Sequence, residues 1–200
     1  MKTQSVIYNT LNHFLNDAVR GILTPIIYLD TNVLLDILDK RCNDSLDLYR
    51  YIWNHQWQCV TSIFAKVEML EVKQIHRFKI EKQQFNWSSN RIKKELHKRD
   101  LSSNILGNIS RNITARMKSR CKGIKKYSCL IEDGWIKAEE IKRKTNLTDK
   151  DSIHLAEALA IACDIFLTRD DFLLSVAKRY IWAETPNSLI GILKSVDNQI

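Results

Sequence analysis

Proline and glycine are scarce in this chain of 200 residues, at 2 and 5. That excludes a collagen-like, Pro-rich or Gly/Ser-linker chain. It also argues against an all-β sandwich, whose many short strands need Gly/Pro turns. No uncharged apolar run reaches about 18 residues, so no transmembrane helix is expected. There is no repeat at a fixed period and no low-complexity tract. Met1 to Arg20 is amphipathic, with Val6, Ile7, Leu11, Phe14, Leu15 and Val19 apolar, and lacks the compact apolar centre of a signal peptide. A cytoplasmic location is therefore the expectation. The five cysteines are irregularly spaced and include no C-x₂-C pair, which disfavours a disulfide framework and a structural zinc site. No P-loop and no G-x-G-x-x-G occurs.

The 44% hydrophobic content is enough for one cored domain with additions. The charge, +8 overall, is concentrated. From Lys73 to Lys144 there are 20 Lys/Arg against 7 Asp/Glu, and the remainder is mildly acidic. Such a concentration suggests a polyanion partner, RNA or DNA.

The periodicity predicts a first helix over about Ser5–Arg20, stopped by Gly21. Ile26-Ile27-Tyr28-Leu29 reads as a fully buried strand ending at Asp30, followed by a short helix through Leu38. A helix over Ser45–His55, a strand over Trp57–Thr61 and a helix after Ser62 continue a strand–helix alternation, the start of a parallel α/β sheet. The basic stretch 73–144 reads as two or three long helices, with Leu101 to Asn108 as a break. The alternation then resumes: a helix over Asp151–Ala162, a strand at Ile165–Thr168, a helix over Asp171–Arg179, a strand at Tyr180–Ala183 and a closing helix from about Asn187.

Asp30 stands at the carboxyl end of an apolar strand, and Asp170 just after another. In an open parallel sheet those ends form the ligand crevice. Asp151 opens a helix and Glu68 lies within one. Carboxylates converging there would need a cation, and hard oxygen donors suit Mg²⁺ or Mn²⁺. Such an ion can acidify a water and offset charge on a phosphodiester. Taken singly, each acid also has an ordinary structural use: helix caps for Asp30 and Asp170, a dipole partner for Asp151, an exposed helix acid for Glu68.

The stretch Ile26-Ile27-Tyr28-Leu29-Asp30-Thr31-Asn32-Val33-Leu34-Leu35-Asp36 resembles the opening signature of PIN domains. Thr61-Ser62 with Glu68 is similar to their second motif. Asp151-Ser152-Ile153-His154-Leu155-Ala156-Glu157-Ala158 resembles the third, and Thr168-Arg169-Asp170-Asp171-Phe172 the fourth. Ala183-Glu184-Thr185-Pro186 looks like the family's closing turn. The resemblance covers about 25–72 and 148–196, leaving an N-terminal helical extension, 1–24, and a basic helical insertion, 73–147, within a single domain. It implies a PIN-like parallel sheet of four or five strands flanked by helices. It also implies a Mg²⁺/Mn²⁺-dependent endoribonuclease cutting single-stranded RNA, with Asp30, Glu68, Asp151 and Asp170 as the acidic set. Asp171 is the alternative to Asp170, and Asn32 and Thr168 would orient the acids. His154, a helix histidine beside core residues, is expected to be structural and is given no general-base role. Many small members look like toxins of the VapC type, so a small antitoxin and a homodimer are implied partners. The extra N-terminal residues and the long gap between Glu68 and Asp151 depart from small toxins. The competing reading is a non-catalytic RNA-binding or scaffold protein on a PIN-like fold. A haloacid-dehalogenase-type phosphohydrolase would need Asp-x-Asp where Asp30-Thr31-Asn32 stands.

Overall fold

The computed structural model describes residues 8–98, 101–127 and 132–198. Two compact units emerge: one formed by the chain up to Ile63 together with the chain from Gly123 onward, the other Phe64–Lys122. The first holds the sheet. Its strands are β1 (Ile26–Leu29), β2 (Gln58–Ser62), β3 (Lys125–Tyr127), β4 (Ile165–Leu167) and β5 (Trp182–Glu184). They lie in the order β3-β2-β1-β4-β5, and every pairing is parallel. The protein is therefore an α/β protein with a five-stranded parallel sheet flanked by helices.

Successive strand residues face opposite sides of a sheet, and strands covered on both faces must be apolar throughout. On one face Tyr28, Val60, Phe166 and Ala183 pack with Leu155, Ala156, Ala158, Leu173, Val176 and Ala177. Those partners come from α8 (Asp149–Ala160) and α9 (Asp171–Ala177), and Ala138 and Ile141 of α7 (Glu132–Thr145) join them. Tyr28 and Phe166 stack across β1 and β4, with ring centroids 5.3 Å apart. On the other face Leu29, Cys59 and Leu167 share a space with Val33 and Ile37 of α2 (Thr31–Asp39) and with Leu48 and Ile52 of α3 (Asn43–Asn54). The helices α1 (Leu11–Val19) and α10 (Pro186–Asp197) pack together, and Phe14 meets Trp182 of β5 with centroids 5.0 Å apart. Fully burying one apolar side chain of this size contributes about 1.5–3 kcal/mol.

The second unit comprises α4 (Phe64–Gln84), α5 (Ser89–Glu95) with a 3-10 turn at Leu96–Lys98, and α6 (Ser103–Arg120). It holds a cluster of Phe78, Ile92 and Leu101, flanked by Trp87, Leu96, Ile105 and Ile109, and Ala65, Met69, Ile113 and Met117 are buried as well.

Several expectations need correcting. The first helix begins at Leu11, because Thr10 caps it by accepting a hydrogen bond from the backbone N–H of His13; of the expected helix start, Ser5 to Ile7 lie outside the described residues. The helical unit begins at Phe64 rather than 73, since α4 runs unbroken through Val72, and it ends at Lys122 rather than 147. Between Lys122 and the third motif the chain returns to the sheet as β3 and α7, which lie in the sheet-bearing unit. The expected break at Leu101 to Asn108 is confined, among the described residues, to Leu101 and Ser102: α6 starts at Ser103 and carries Gly107 within it. Among the described residues no helix is long and apolar enough to cross a membrane. The described cysteines, Cys42, Cys59, Cys121 and Cys163, are all free thiols.

Candidate functional site

The strand order places a topological switch between β1 and β4. From β1 the chain moves outward to β2 and β3, then crosses over to β4 and β5. Ligand crevices of open α/β sheets form outside the carboxyl ends of the strands at this kind of point. Asp30 follows β1 and Thr168 follows β4, so both stand on that crest.

Asp30 is only 4% exposed. Its extended backbone makes it the N-cap of α2, with Oδ1 accepting from the N–H of Thr31 at 2.7 Å. Oδ2 accepts from the hydroxyl of Thr168 at 2.8 Å. Neither of these two donors is a cation, and a carboxylate offers about four lone-pair positions. Thr168 Oγ1 in turn accepts from the N–H of Asp170 at 3.0 Å. One threonine thus couples Asp30 to Asp170. Asp170 is exposed and caps α9, accepting from the N–H of Leu173 at 2.8 Å. Asp171, also exposed, sits inside the first turn of that helix, so Asp170 is the acid tied to Thr168. The hydrogen bonds holding Asp30 come from Thr31 and Thr168; Asn32 is exposed on the first turn of α2.

Asp151 does not open its helix; it is the third residue of α8, behind the N-cap Thr148. Thr148 Oγ1 accepts from the Asp151 N–H at 3.2 Å and donates to Asp151 Oδ2 at 2.6 Å. Residues three apart share a helix face, and the face of Asp151 continues through His154 to Glu157. His154, 1% exposed, reaches the crest: its Nε2 is 3.1 Å from Thr31 Oγ1 and 4.0 Å from Asp30 Oδ1. Asp151 therefore lies about one helical turn N-terminal to the histidine that reaches Asp30. Glu68 is on the second turn of α4, in the other unit.

Beneath the crest lies a buried polar chain that hydrophobic patterning did not reveal. Tyr28 Oη lies 2.8 Å from His154 Nδ1 and donates to Glu157 Oε2 at 3.2 Å. One hydroxyl proton serves one acceptor. With Tyr28 donating to Glu157, His154 carries its proton on Nδ1 and donates to Tyr28, and Nε2 accepts from the Thr31 hydroxyl. Burial pushes the Tyr28 hydroxyl well above its ordinary range, reinforced by the charges of Glu157 and Asp30, so it remains a donor. Burial also raises the Glu157 carboxyl, against the opposing effects of a hydrogen bond from Ser62, the neighbouring His154 imidazole and the Tyr28 hydroxyl. The signal for this chain was the i, i+3, i+6 run Asp151, His154, Glu157, three polar residues on one face of an otherwise apolar helix.

A second missed group braces the loop after β4. Arg169 donates to Asp36 Oδ2 on α2 and to Ser45 Oγ on α3 at 3.0 Å, and its other contact is Cys42 Sγ at 2.7 Å. Ser45 also donates to Asp36 at 3.1 Å. Asp36 is buried, and a buried carboxylate needs a charged partner. The pairing pins Thr168-Arg169-Asp170 against two helices. Both residues stand within motifs quoted above.

The donor chemistry fits a hard divalent cation: carboxylate and hydroxyl oxygens on a strand crest. The geometry is partial. Among the described residues no three His, Cys, Asp or Glu side chains gather into a group that could hold a metal ion. What is assembled is the pair Asp30 and Asp170 through Thr168, with Asp151 about one turn from His154. No protein-family model matches the chain, and no curated protein matches it.

Proposed function

We propose that the protein is a Mg²⁺- or Mn²⁺-dependent endoribonuclease of the PIN kind that cuts single-stranded RNA. The observation that carries this reading is the Asp30–Thr168–Asp170 link at the switch point between β1 and β4. Asp30, Asp151 and Asp170 would hold the ion, and the part given to Glu68 rests on its place in the sequence alone. A bound ion of this type supplies an acidified water and offsets charge developing on phosphate oxygens. The chain's own residues supply the frame. Thr31 and Thr168 fix both oxygens of Asp30, so little rotamer freedom is lost when a ligand arrives. His154 and Tyr28 buttress Thr31 from below, and Arg169 holds the β4 loop from outside. A cytoplasmic setting, a small antitoxin directed at the acidic crest and a homodimer follow from the resemblance and belong to the same proposal.

A second reading, a non-catalytic RNA-binding or scaffold protein, is favoured by one observation. Asp30 and Asp170 cap helices, and the Asp151 carboxylate accepts from the hydroxyl of the N-cap Thr148, a bond that an asparagine oxygen can also accept; these roles alone account for aspartates at those places. Asparagine caps a helix about as well as aspartate. Asp30→Asn and Asp151→Asn should therefore fold like the parent while losing metal-ligand character. On a panel of single-stranded RNAs the parent should cut with Mg²⁺ or Mn²⁺ and stop with chelator. Each variant should lose about 10²-fold or more in rate, the scale expected for losing a preorganised electrostatic partner. Cutting that survives in both folded variants, or none by the parent with any RNA, would move the assignment to the binding role.

A further inference from the structure

The second unit, Phe64–Lys122, carries 15 Lys/Arg against 5 Asp/Glu, whereas the rest of the chain carries 16 against 18. The basic excess of the protein therefore resides in this unit. At the end of α4 the chain turns sharply. The Trp87 N–H reaches the Lys82 carbonyl at 3.1 Å, the Asn86 N–H reaches the Gln83 carbonyl at 2.9 Å, and Asn86 takes a left-handed φ of 59°. This is a Schellman stop with asparagine in the left-handed position.

The stop separates two neighbouring aromatics. Trp87 folds back against the core of Phe78, Ile92 and Leu101, while Phe85 is left 67% exposed. Ser88 then caps α5, and the Arg91 guanidinium lies 3.9 Å over the Trp87 ring. The Lys82 ammonium sits 5.3, 5.9 and 5.4 Å from the ring centroids of Phe78, Phe85 and Trp87, and 3.3 Å from Glu81. An exposed phenyl ring outside the packed core, with the Lys82 ammonium 5.9 Å from its centroid and the Arg91 guanidinium over the nearby Trp87, offers a flat apolar face in a basic setting.

We propose that Phe85, with Lys82 beside it and Arg91 stacked on the nearby Trp87, is a stacking platform on which the second unit holds a base of single-stranded nucleic acid. Only an unpaired base can present its ring face to a side chain, while a duplex hides those faces in its own stack. The net positive charge of the unit suits a phosphate backbone on either side of the stacked base. That the strand is RNA rests on the ribonuclease reading; the platform itself needs only unpaired bases and phosphates.

The test titrates the full-length protein into a fluorescein-labelled oligouridine strand by anisotropy, with chelator present so that nothing is cut. Phe85→Ala should weaken binding by roughly 5- to 100-fold, the range for losing one base–aromatic stack. Phe85→Trp should restore it. Because Phe85→Ala removes no charge, the slope of log Kd against log salt should stay the same, while Arg91→Gln should reduce that slope by about 0.7. Phe85→Ala binding at the parent's affinity would overturn the platform. So would polyglutamate or an RNA duplex competing as well as the single strand, since either would mean a general basic surface. If Phe85→Ala weakens binding yet Mg²⁺ never elicits cutting, the platform stands and the nuclease reading falls.

Discussion

Glu157 shows how a single carboxyl under the crest couples the site to stability. It is buried among Tyr28, His154 and Ser62, and desolvation holds its folded pKa above the ordinary 4.5. A raised pKa means the native state keeps this proton where the unfolded chain has already released it. Between the ordinary value and the folded one, the native state binds more protons, so stability falls as pH rises through that window. Below the window the group's full contribution is present. Glu157→Gln keeps the shape and the accepting oxygen and removes the titration. Urea unfolding midpoints from about pH 4 to about pH 8 should fall for the parent on the acid side of neutrality and fall less for the variant. The two proteins differ at this one side chain, so the difference between the two profiles isolates Glu157. Parallel profiles would mean that its burial leaves no proton linkage.

Among the elements, β3 is held in place by the turn that precedes it. Gly123 has φ of 78°, and a Cβ there would come within 2.5 Å of the Trp53 ring. The left-handed conformation costs a residue with a side chain about 1–2 kcal/mol. Gly123→Ala should therefore lose at least that much in chemical denaturation. Trp53 is 53% exposed and its ring can move aside, so adding Trp53→Ala should recover little of the loss. A neutral Gly123→Ala would show that the turn relaxes without cost to the sheet. The same strand marks where sequence reading stops. β1 and β4 were legible because strands covered on both faces are continuous apolar runs, such as Ile26 to Leu29, β2 by its Cys59-Val60 centre, and β5, at the far edge, by the apolar Ile181-Trp182-Ala183 that leads into it. β3 reads Lys-Lys-Tyr, because it is the sheet edge, where lysines guard against further pairing and no apolar run is required. Asp30 and Asp170 were legible for the same reason as their strands: each follows an apolar run that ends on the crest. The Thr168 link between them was not, because a hydrogen bond between residues 138 apart leaves no local pattern. Nor was the Tyr28–His154–Glu157 chain, whose members sit in helical and strand positions otherwise filled by apolar residues.

For the molecule as a whole, charge and core size are distributed unequally. The sheet-bearing unit has a helix-covered sheet with a long roll of fully buried residues and a near-balanced charge. The second unit has the small cluster of Phe78, Ile92 and Leu101, with Ala65, Met69, Ile113, Met117 and Cys121 also buried, while carrying its excess of ten positive charges. Like charges destabilise a compact state by self-repulsion, and exposed charges are screened over about 10 Å at ~0.1 M salt. Local opening follows the least-packed region, so backbone amides of α5 and α6 should exchange with solvent faster than those of β1 and β4. Salt should slow that exchange by screening. A bound polyanion should slow it further, because a ligand that binds only the folded unit stabilises it by mass action. Hydrogen-exchange mass spectrometry at low salt, at high salt and with oligouridine in chelator separates these effects. The expected result is protection gained in α5 and α6 and little change in the strands. Protection rising equally in both units would mean that the chain opens as one cooperative body. Protection confined to the strands would place the polyanion on the acidic crest, against the charge distribution, and would remove the second unit from RNA recognition.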